Sequence, residues 1–468
     1  MLDSIFHPRS VAIIGASQGV TATGSVKIGT AALKYLVEHG FKGKVYPINP
    51  REKELMGLKC YKSIREVQGD VDLACIVVPS KACIATMKEC AEKGVKAAVV
   101  FASGFAEIGD KALQDELLGI ARKAKIRFVG PNTAGTINVP DHLVTSISMS
   151  CEMNPFREGG IAFITQSGAL GASMLSRGMD EGVGFSYWVS TGNEADLDAA
   201  DYINYFVKDD KVKVITLFTE GIRHGKKFIS SCLSAIKAKK PVLIYKTGLS
   251  EVSVAAAASH TGAMAGSDEV FDKVCKQFGV IRVDDVAELF PLAEVFSWVG
   301  DCLPRGNRVG IVSASGGICG VGADECFRAG LEIPELTESC KEKIRTFIPS
   351  FGAVRNPVDC TGQIRSSGTG YQDTVKCVMG EDYIDGMLIL VTMAAGTRAE
   401  FYGREITNIA SNTTKPVIVA WTGALSLAQD GYPLLKRNKV PNFLTVRGAV
   451  KAMKALADYR AYLDRILA

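Results

Sequence analysis

One histidine, His260, lies in a segment whose composition suits the transient carrying of a chemical group. The segment from Ser250 to Asp268 reads SEVSVAAAASHTGAMAGSD, and nearly every side chain around the histidine is small. Gly262 and Gly266 permit backbone angles that other residues avoid, so the segment can change its conformation. The same pattern fits a short alanine-rich helix that ends at a glycine turn, with His260 as a polar residue at its end. The segment alone leaves both interpretations open.

A carboxylate after an apolar strand is the candidate partner of this histidine. Histidine acts as a nucleophile through one neutral ring nitrogen, and an acceptor for the other ring N–H fixes the tautomer and stabilises the charge that forms. Glu220 follows an apolar strand predicted over residues 212–218 and is our candidate for that acceptor. An ion pair with Arg223 is the ordinary alternative for this carboxylate, and His224 follows closely enough to remain a candidate helper.

Two Ser-Gly turns, in QSGALG and ASGGICG, each follow an apolar strand and precede a helical pattern. They contain Ser167 and Gly168 in the first case, and Ser315, Gly316 and Gly317 in the second. A helix N-terminus offers unpaired N–H donors and the positive end of the helix dipole, so it binds anions without a lysine. Two such ends facing one phosphate would hold a phosphohistidine. Each turn taken alone also fits a tight connection with no ligand.

Strands alternate with helices of ten to fifteen residues along the chain, which predicts parallel sheets of an α/β fold. We expect a Rossmann-like domain over residues 1–150, then two flavodoxin-like domains over 151–303 and 304–468, with Cys319 as a packing residue. Ligands of such sheets bind at the carboxyl ends of the strands. In the first domain these ends carry the polar and small residues Gly15, Ala16, Ser17, Gln18, Asn49, Pro50, Val78, Pro79, Ser80, Ser103, Gly104 and Asn132.

The first domain departs from the pattern of an NAD site. Its glycine turn reads GASQG rather than GxGxxG, and its second strand ends VYPINP, where an NAD site has an acidic residue for the ribose. Another phosphate-bearing nucleotide remains compatible with the backbone N–H groups of residues 15–18. Turns that bind no ligand are the remaining alternative.

Composition excludes several classes of protein. Of 468 residues, 47% are hydrophobic and 22% charged, which is typical of a soluble globular protein. The chain has 54 Lys and Arg against 50 Asp and Glu, and this net charge of +4 is too small for a protein that binds nucleic acid. The 13 cysteines are scattered singly among five histidines, so we expect neither zinc nor disulfides. No apolar run approaches the ~20 residues of a membrane span. We expect a cytoplasmic protein, with His7, His39 and His142 on its surface.

Ordered motifs resemble those of one enzyme family over nearly the whole chain. SVAIIGAS, VYPINP, IVVPS, FASGFAE, GPNTAG, QSGALG, STGNEAD, FTEGI, SHTGAMAG, ASGGICG and NPVD follow one another as in the alpha subunits of ADP-forming acyl-CoA synthetases, of the succinyl-CoA synthetase superfamily. The resemblance implies coenzyme A on the first domain, a phosphoryl group on His260, Glu220 as its orienting partner and Asn132 near the acyl group. The third domain resembles the CoA-ligase domain.

The resemblance also implies a partner. The family needs an ATP-grasp domain of ~200 residues to hold ADP and Mg²⁺, which we expect on a separate beta subunit in an α2β2 heterotetramer. The implied reaction makes acid, CoA and ATP from acyl-CoA, with acetyl-CoA the expected substrate, and it needs no metal on this chain. A CoA-dependent acyltransferase or hydrolase, a CoA-sensing protein and an NAD oxidoreductase are the alternatives.

Overall fold

The computed structural model describes residues 2–250, 252–253, 267–364 and 368–468. The chain divides into two compact units, Met1–Phe290 and Pro291–Ala468. Both contain parallel sheets with helices between the strands, so the predicted α/β class is confirmed. Across the described ranges, no helix is both long and apolar enough to cross a bilayer. His260 lies outside the described residues.

The first unit begins with a five-stranded parallel sheet, in the order β2-β1-β5-β6-β7. Its strands and one short hairpin are β1 (Ser10–Ile14), β2 (Lys44–Ile48), β3 (Glu54–Leu55), β4 (Leu58–Lys59), β5 (Leu73–Ile76), β6 (Ala97–Val100) and β7 (Arg127–Val129). Every residue of β1, β5 and β6 is buried, as expected of a parallel sheet covered on both faces. The predicted Rossmann-like sheet is confirmed.

The helices of this region are α1 (Asp3–Phe6), α2 (Ile28–Glu38), α3 (Ser80–Lys93) and α4 (Lys111–Lys123). The sequence pattern predicts a helix from about Gly24 to His39, whereas α2 begins at Ile28. Val20 and Val26 instead form an antiparallel bridge, and the Lys27 N–H donates to the Gly19 carbonyl at 3.2 Å. These contacts make residues 18–27 a closed loop between the glycine turn and the helix.

A seven-stranded sheet follows in the same unit, in the order β14-β13-β12-β10-β11-β8-β9. Its strands are β8 (Gly135–Asn138), β9 (Leu143–Ser146), β10 (Glu158–Thr165), β11 (Phe185–Ser190), β12 (Val214–Thr219), β13 (Val242–Lys246) and β14 (Val280–Arg282). The helices beside it are α5 (Gly168–Asp180), α6 (Ala199–Phe206), α7 (Gly225–Lys237) and α8 (Asp268–Phe278). Strand β8 pairs antiparallel with β11, so two strands that precede the predicted boundary at 150 complete this second sheet.

Aromatic packing ties the start of the chain to the second sheet. The Phe6 ring lies edge-on to Tyr187 at 5.3 Å between centroids and is stacked on Tyr205 at 5.1 Å. Tyr187 in turn stacks on Phe206 at 4.8 Å. Such pairs stabilise a core beyond the area they bury. Helix α1 therefore belongs to the core that the second sheet shares with α6.

The second unit contains a five-stranded parallel sheet in the order β16-β15-β17-β18-β19. Its strands are β15 (Val309–Ser313), β16 (Val358–Asp359), β17 (Gly386–Val391), β18 (Val417–Trp421) and β19 (Asn442–Phe443). The remaining helices are α9 (Leu289–Val299), α10 (Gly316–Ala329), α11 (Glu338–Phe347), α12 (Gly370–Met379), α13 (Thr397–Ser411), α14 (Tyr432–Arg437) and α15 (Val446–Leu467). Counted along the chain, this order is the 2-1-3-4-5 of flavodoxin-like folds, as predicted.

All three sheets share one topological feature that places the site. If the five parallel strands of each sheet are numbered in chain order, they lie in the order 2-1-3-4-5. The chain therefore runs to one side of the sheet after the first strand and to the other side after the third. Ligands of doubly wound sheets bind in the crevice at this switch point. In the second sheet the switch point lies between β10 and β12. Gln166 is the first residue after β10, and Glu220 is the first residue after β12.

Candidate active site

Neighbouring strands β10 and β12 bring two predicted site segments together. The strands pair in parallel with Thr165 opposite Phe218, so their carboxyl ends lie side by side. Ser167 caps helix α5, and its side chain accepts from the Leu170 N–H at 3.3 Å. The first residues of α5, whose backbone N–H groups lack helical acceptors, line the same cleft as half-buried Glu220. This arrangement suits an anion held at the helix end near a carboxylate.

A cleft of about 840 Å³ opens at this edge. Five of the predicted site residues line it: Ser103, Asn132, Ser167, Gly168 and Glu220. They come from two sheets, because loops after β6 and β7 of the first sheet meet loops after β10 and β12 of the second. A chamber of this size accommodates a small ligand or the end of a larger one.

The predicted coenzyme A residues lie along the carboxyl edge of the first sheet. The Asn49 side chain donates to the Ala16 carbonyl at 2.8 Å, which joins the loops after β2 and β1. Gly15 has φ +91°, and a Cβ there would lie 2.4 Å from the Val77 carbonyl oxygen. The residues of this set that do not line the 840 Å³ cleft are Gly15, Ala16, Ser17, Gln18, Asn49, Pro50, Val78, Pro79, Ser80 and Gly104. Helix α2 starts only at Ile28, so residues 15–18 precede its N-terminus by a loop.

The Asn132 side chain reaches the cleft from a constrained turn. Its φ is +59°, its N–H donates to the Ala102 carbonyl at 2.8 Å, and its amide donates to Asn193 Oδ1 at 3.3 Å. The backbone of Gly192 lies so near that a Cβ would be 2.3 Å from the Pro131 oxygen. The Gly-Asn pair of STGNEAD therefore fixes the turn that presents Asn132.

The second predicted anion site is a helix end of the second unit. Helix α10 begins at Gly316 with Ser315 as its N-cap, and both Gly316 and Gly317 are exposed. Cys319, in the first turn of α10, is buried, and burial raises the pKa of its thiol to about 12. A thiol of this kind is inert at neutral pH, in line with its predicted packing role.

Known proteins share this arrangement of domains. A CoA binding domain family matches residues 9–138, a succinyl-CoA ligase like flavodoxin domain matches 158–296, and a ligase-CoA domain matches 309–449. The alpha subunit of acetate–CoA ligase (ADP-forming) II from Pyrococcus furiosus is 38% identical over 98% of both chains. This chain belongs to the ADP-forming acetate–CoA ligase family. It is a ligase and corresponds to the family's alpha subunit.

Two further relatives extend the comparison. Acetate–CoA ligase (ADP-forming) II of Archaeoglobus fulgidus is 34% identical over 98% of this chain, which covers 67% of that longer protein. The structure of acetyl-coenzyme A synthetase 1 from Ca. Korarchaeum cryptofilum, in complex with phosphate and ADP, aligns with a TM-score of 0.89 at 33% identity. That alignment covers 100% of this chain and 99% of the other. These two chains therefore share the fold over their whole length.

Four residues of the site region were not predicted from the sequence, although each lies in one of the family motifs FASGFAE, QSGALG and STGNEAD. They are Glu107, Gln166, Asn193 and Glu194. The Glu107 carboxylate accepts from the Gly104 N–H and the Asn193 side chain, both at 2.5 Å. Burial opposes ionisation here, but these hydrogen bonds hold the pKa of Glu107 below its usual value. Glu107 therefore joins the loop after β6 to STGNEAD.

The histidines other than His260 differ in their surroundings. His39 was expected on the surface, and this expectation is wrong: its ring is buried, stacks on Phe156 at 4.8 Å and contacts the Cys151 carbonyl at 2.8 Å. His7 and His142 are exposed, as expected. The ring of His224 contacts Asp198 at 2.7 Å, so a structural contact accounts for its position. In the described ranges, no group of three or more His, Cys, Asp and Glu residues is arranged to bind a metal.

Glu194 is a buried carboxyl group whose ionisation costs stability. Burial raises the pKa of Glu194 to about 7, while the positive charge of Arg223, whose Nε lies 3.9 Å from the carboxylate, opposes the shift. A carboxyl whose folded pKa lies above its unfolded value of 4.5 binds its proton more tightly in the folded state. The folded protein should therefore lose stability as the pH rises through the window between these two values.

Replacing Glu194 with glutamine tests this pH dependence. The free energy of unfolding of Glu194→Gln relative to the unmodified chain should increase between about pH 5 and about pH 8, by up to about 3 kcal/mol, because the amide never ionises. Urea unfolding across this range measures the difference. Glu116→Gln, on the exposed face of α4, is the control and should show no such trend. If the free energies of unfolding of Glu194→Gln and of the unmodified chain changed with pH in parallel, the raised pKa of Glu194 would be contradicted.

Proposed function

We propose that this alpha subunit takes part in converting acetyl-CoA, ADP and phosphate into acetate, CoA and ATP, with a phosphohistidine at His260 as the carrier. The observation that carries the proposal is the single cleft lined by Asn132, Ser167, Gly168 and Glu220. An amide for the acyl group, a helix end for phosphate and a carboxylate for a histidine ring are the groups that the first two chemical steps need. The membership of the chain in the ligase family supports the same reaction.

The first step forms an acyl phosphate. A phosphate oxygen attacks the thioester carbonyl carbon, the C–S bond breaks, and CoA leaves as the thiolate. The α5 amides that begin at Gly168 hold the phosphate, and the Asn132 side-chain N–H donates to the carbonyl oxygen as it gains negative charge. The Asn132 turn is held by Asn193, so this donor is in place before the substrate arrives.

The second step transfers the phosphoryl group to His260. One ring nitrogen attacks phosphorus, the P–O bond to the acyl group breaks, and acetate leaves. The carboxylate of Glu220 accepts the other ring N–H, which fixes the tautomer and offsets the positive charge on the ring. The phosphoryl group then passes from His260 to ADP, which regenerates the free ring.

The ADP site belongs, in this proposal, to an ATP-grasp beta subunit that also holds Mg²⁺. Relatives support this division, since the Pyrococcus protein is named a subunit and the Archaeoglobus protein is a longer single chain. We propose an α2β2 assembly in the cytoplasm. Within the alpha subunit we propose a CoA-binding domain over residues 1–150, a domain with His260 over 151–303 and a CoA-ligase domain over 304–468. Ser315, Gly316 and Gly317 of the last domain are proposed as a second phosphate-binding helix end.

A matched pair of glycine variants tests the coenzyme A edge. Gly15 and Gly19 have similar φ angles, +91° and +96°, so alanine is strained at both. A Cβ at Gly15 would clash with the Val77 oxygen, whereas nothing lies within 4 Å at Gly19. Gly15→Ala should weaken CoA binding at least about tenfold more than Gly19→Ala, because the clash displaces the loops after β1 and β5. Calorimetric titration with CoA measures both affinities, and equal losses would contradict this placement of CoA.

The acyl phosphate route is tested by the phosphate dependence of thioester cleavage. The chain incubated with acetyl-CoA and phosphate should release about one equivalent of CoA thiol per chain, because His260 retains the phosphoryl group until a partner removes it. Without phosphate no thiol should appear. Release of thiol without phosphate would indicate a hydrolase, and it would contradict the proposed function.

A further inference from the structure

The side chain of Gln166 spans the switch point between β10 and β12. Its Oε1 accepts from the Glu220 N–H at 2.5 Å, the Gly221 N–H at 3.2 Å and the Thr219 hydroxyl at 2.9 Å. Its Nε2 donates to the Gly221 carbonyl at 3.1 Å. One amide therefore makes four hydrogen bonds to the three-residue turn that carries Glu220.

The chemistry of these contacts requires a primary amide. The oxygen faces two backbone N–H donors and the nitrogen faces a backbone carbonyl, so the reverse orientation would oppose donor to donor. A carboxylate would accept from the two N–H groups, but its second oxygen would face the oxygen of the Gly221 carbonyl, which accepts from Gln166 Nε2 and the Thr219 hydroxyl. An aliphatic side chain of the same size would lose all four hydrogen bonds. Gln166 is thus matched to this turn by both of its polar atoms.

The position of Gln166 in the chain connects two parts of the cleft. The next residue is Ser167, the N-cap of α5, whose first amides form the proposed phosphate site. Ser167 and Gln166 both line the cleft with Glu220. Gln166 therefore joins the helix end, through its backbone, to the Glu220 turn, through its side chain.

We propose that Gln166 is a positioning residue that holds Glu220 at the distance from the α5 N-terminus that phosphoryl transfer to His260 requires. This inference rests on the proposed function. Gln166 forms no bond to the reacting atoms in this account. Its contribution acts through the backbone of Glu220, because a carboxylate displaced by about 1 Å loses much of its effect on a reacting ring.

The test compares rates of His260 phosphorylation by acetyl phosphate. Gln166→Leu should slow phosphorylation by about tenfold to a hundredfold, with little change in CoA affinity, because the coenzyme A residues lie on another sheet. Gln166→Glu, which keeps the acceptor, should lose less and partly rescue the rate. Gln372→Leu, the same substitution on helix α12 of the second unit, is the control and should keep the full rate. A cooperative thermal unfolding transition establishes that each variant is folded. If Gln166→Leu does not fold, the comparison is made with Gln166→Glu instead.

A double-mutant cycle separates positioning from a general structural effect. If Gln166 acts through Glu220, Gln166→Leu should have little further effect on phosphorylation in a Glu220→Gln background. Two results would overturn the inference in a protein whose unmodified chain still forms phosphohistidine. One is that Gln166→Leu slows phosphorylation by the same factor with and without Glu220→Gln, and the other is that Gln166→Leu alone leaves the rate unchanged. Failure of the unmodified chain to be phosphorylated on His260 would overturn the proposed function and this inference with it.

Discussion

Replacing His260 with alanine should abolish ATP formation by the alpha subunit and its partner while leaving CoA binding intact. The imidazole is the proposed acceptor of the phosphoryl group, and alanine offers no nucleophile in its place. Coenzyme A is assigned to the edge of the first sheet, in a different domain from the His260 segment. ATP formation is measured in a coupled assay, and CoA affinity by calorimetry on the same preparation.

A matched histidine variant controls for this experiment. His142→Asn removes an exposed imidazole from the same unit, at a residue whose φ of +53° asparagine adopts readily. This variant should keep both ATP formation and CoA binding. A loss of CoA affinity in His260→Ala, equal to its loss of activity, would contradict the assignment of the two functions to separate domains.

Replacing Glu220 with glutamine should slow phosphorylation of His260 on the order of 10² to 10³-fold. The amide keeps the size of the side chain but removes the negative charge that stabilises the ring as it becomes phosphorylated. The contacts of Gln166 with the Glu220 backbone should survive, because they do not involve the replaced atoms. Rapid-quench measurement of phosphoenzyme formation from acetyl phosphate gives the rate directly.

The control for Glu220 is again Glu116→Gln, which removes a carboxylate from the exposed face of helix α4. It should leave the rate of phosphorylation unchanged. An unchanged rate in Glu220→Gln would mean that a different acceptor holds the ring. A slower rate with unaltered acetyl phosphate binding would place the effect in the transfer step itself.

The sheets of this protein follow from patterns that a sequence carries locally. Apolar strands such as Ser10–Ile14 and Val309–Ser313 are bounded by small and polar residues, and the helices between them force parallel pairing. The start of α2 was harder to predict, because the bridge between Val20 and Val26 replaces helical structure with a loop of similar composition. The burial of His39 depends on Phe156 and Cys151, far along the chain, and nothing local to His39 indicates it.

Some residues of the candidate site could be predicted from the sequence, and others could not. Asn132, Ser167 and Glu220 were predictable because each follows a strand at the edge where ligands of parallel sheets bind. Glu107 and Glu194 act through hydrogen bonds or charges between loops of different strands, which the sequence does not show in advance. Their one signal is that acidic residues stand inside otherwise small or apolar motifs, in FASGFAE and STGNEAD. Their partners lie on other loops: Asn193 donates to Glu107, and Arg223 lies 3.9 Å from buried Glu194.

The phosphohistidine itself is tested most directly by mass spectrometry of the alpha subunit treated with acetyl phosphate. The account predicts an acid-labile mass increase of one phosphoryl group on the peptide that contains His260, and no increase in His260→Ala. Acetyl-CoA with phosphate should produce the same adduct. Absence of the adduct under both conditions, or its presence on a different residue, would contradict the relay through His260.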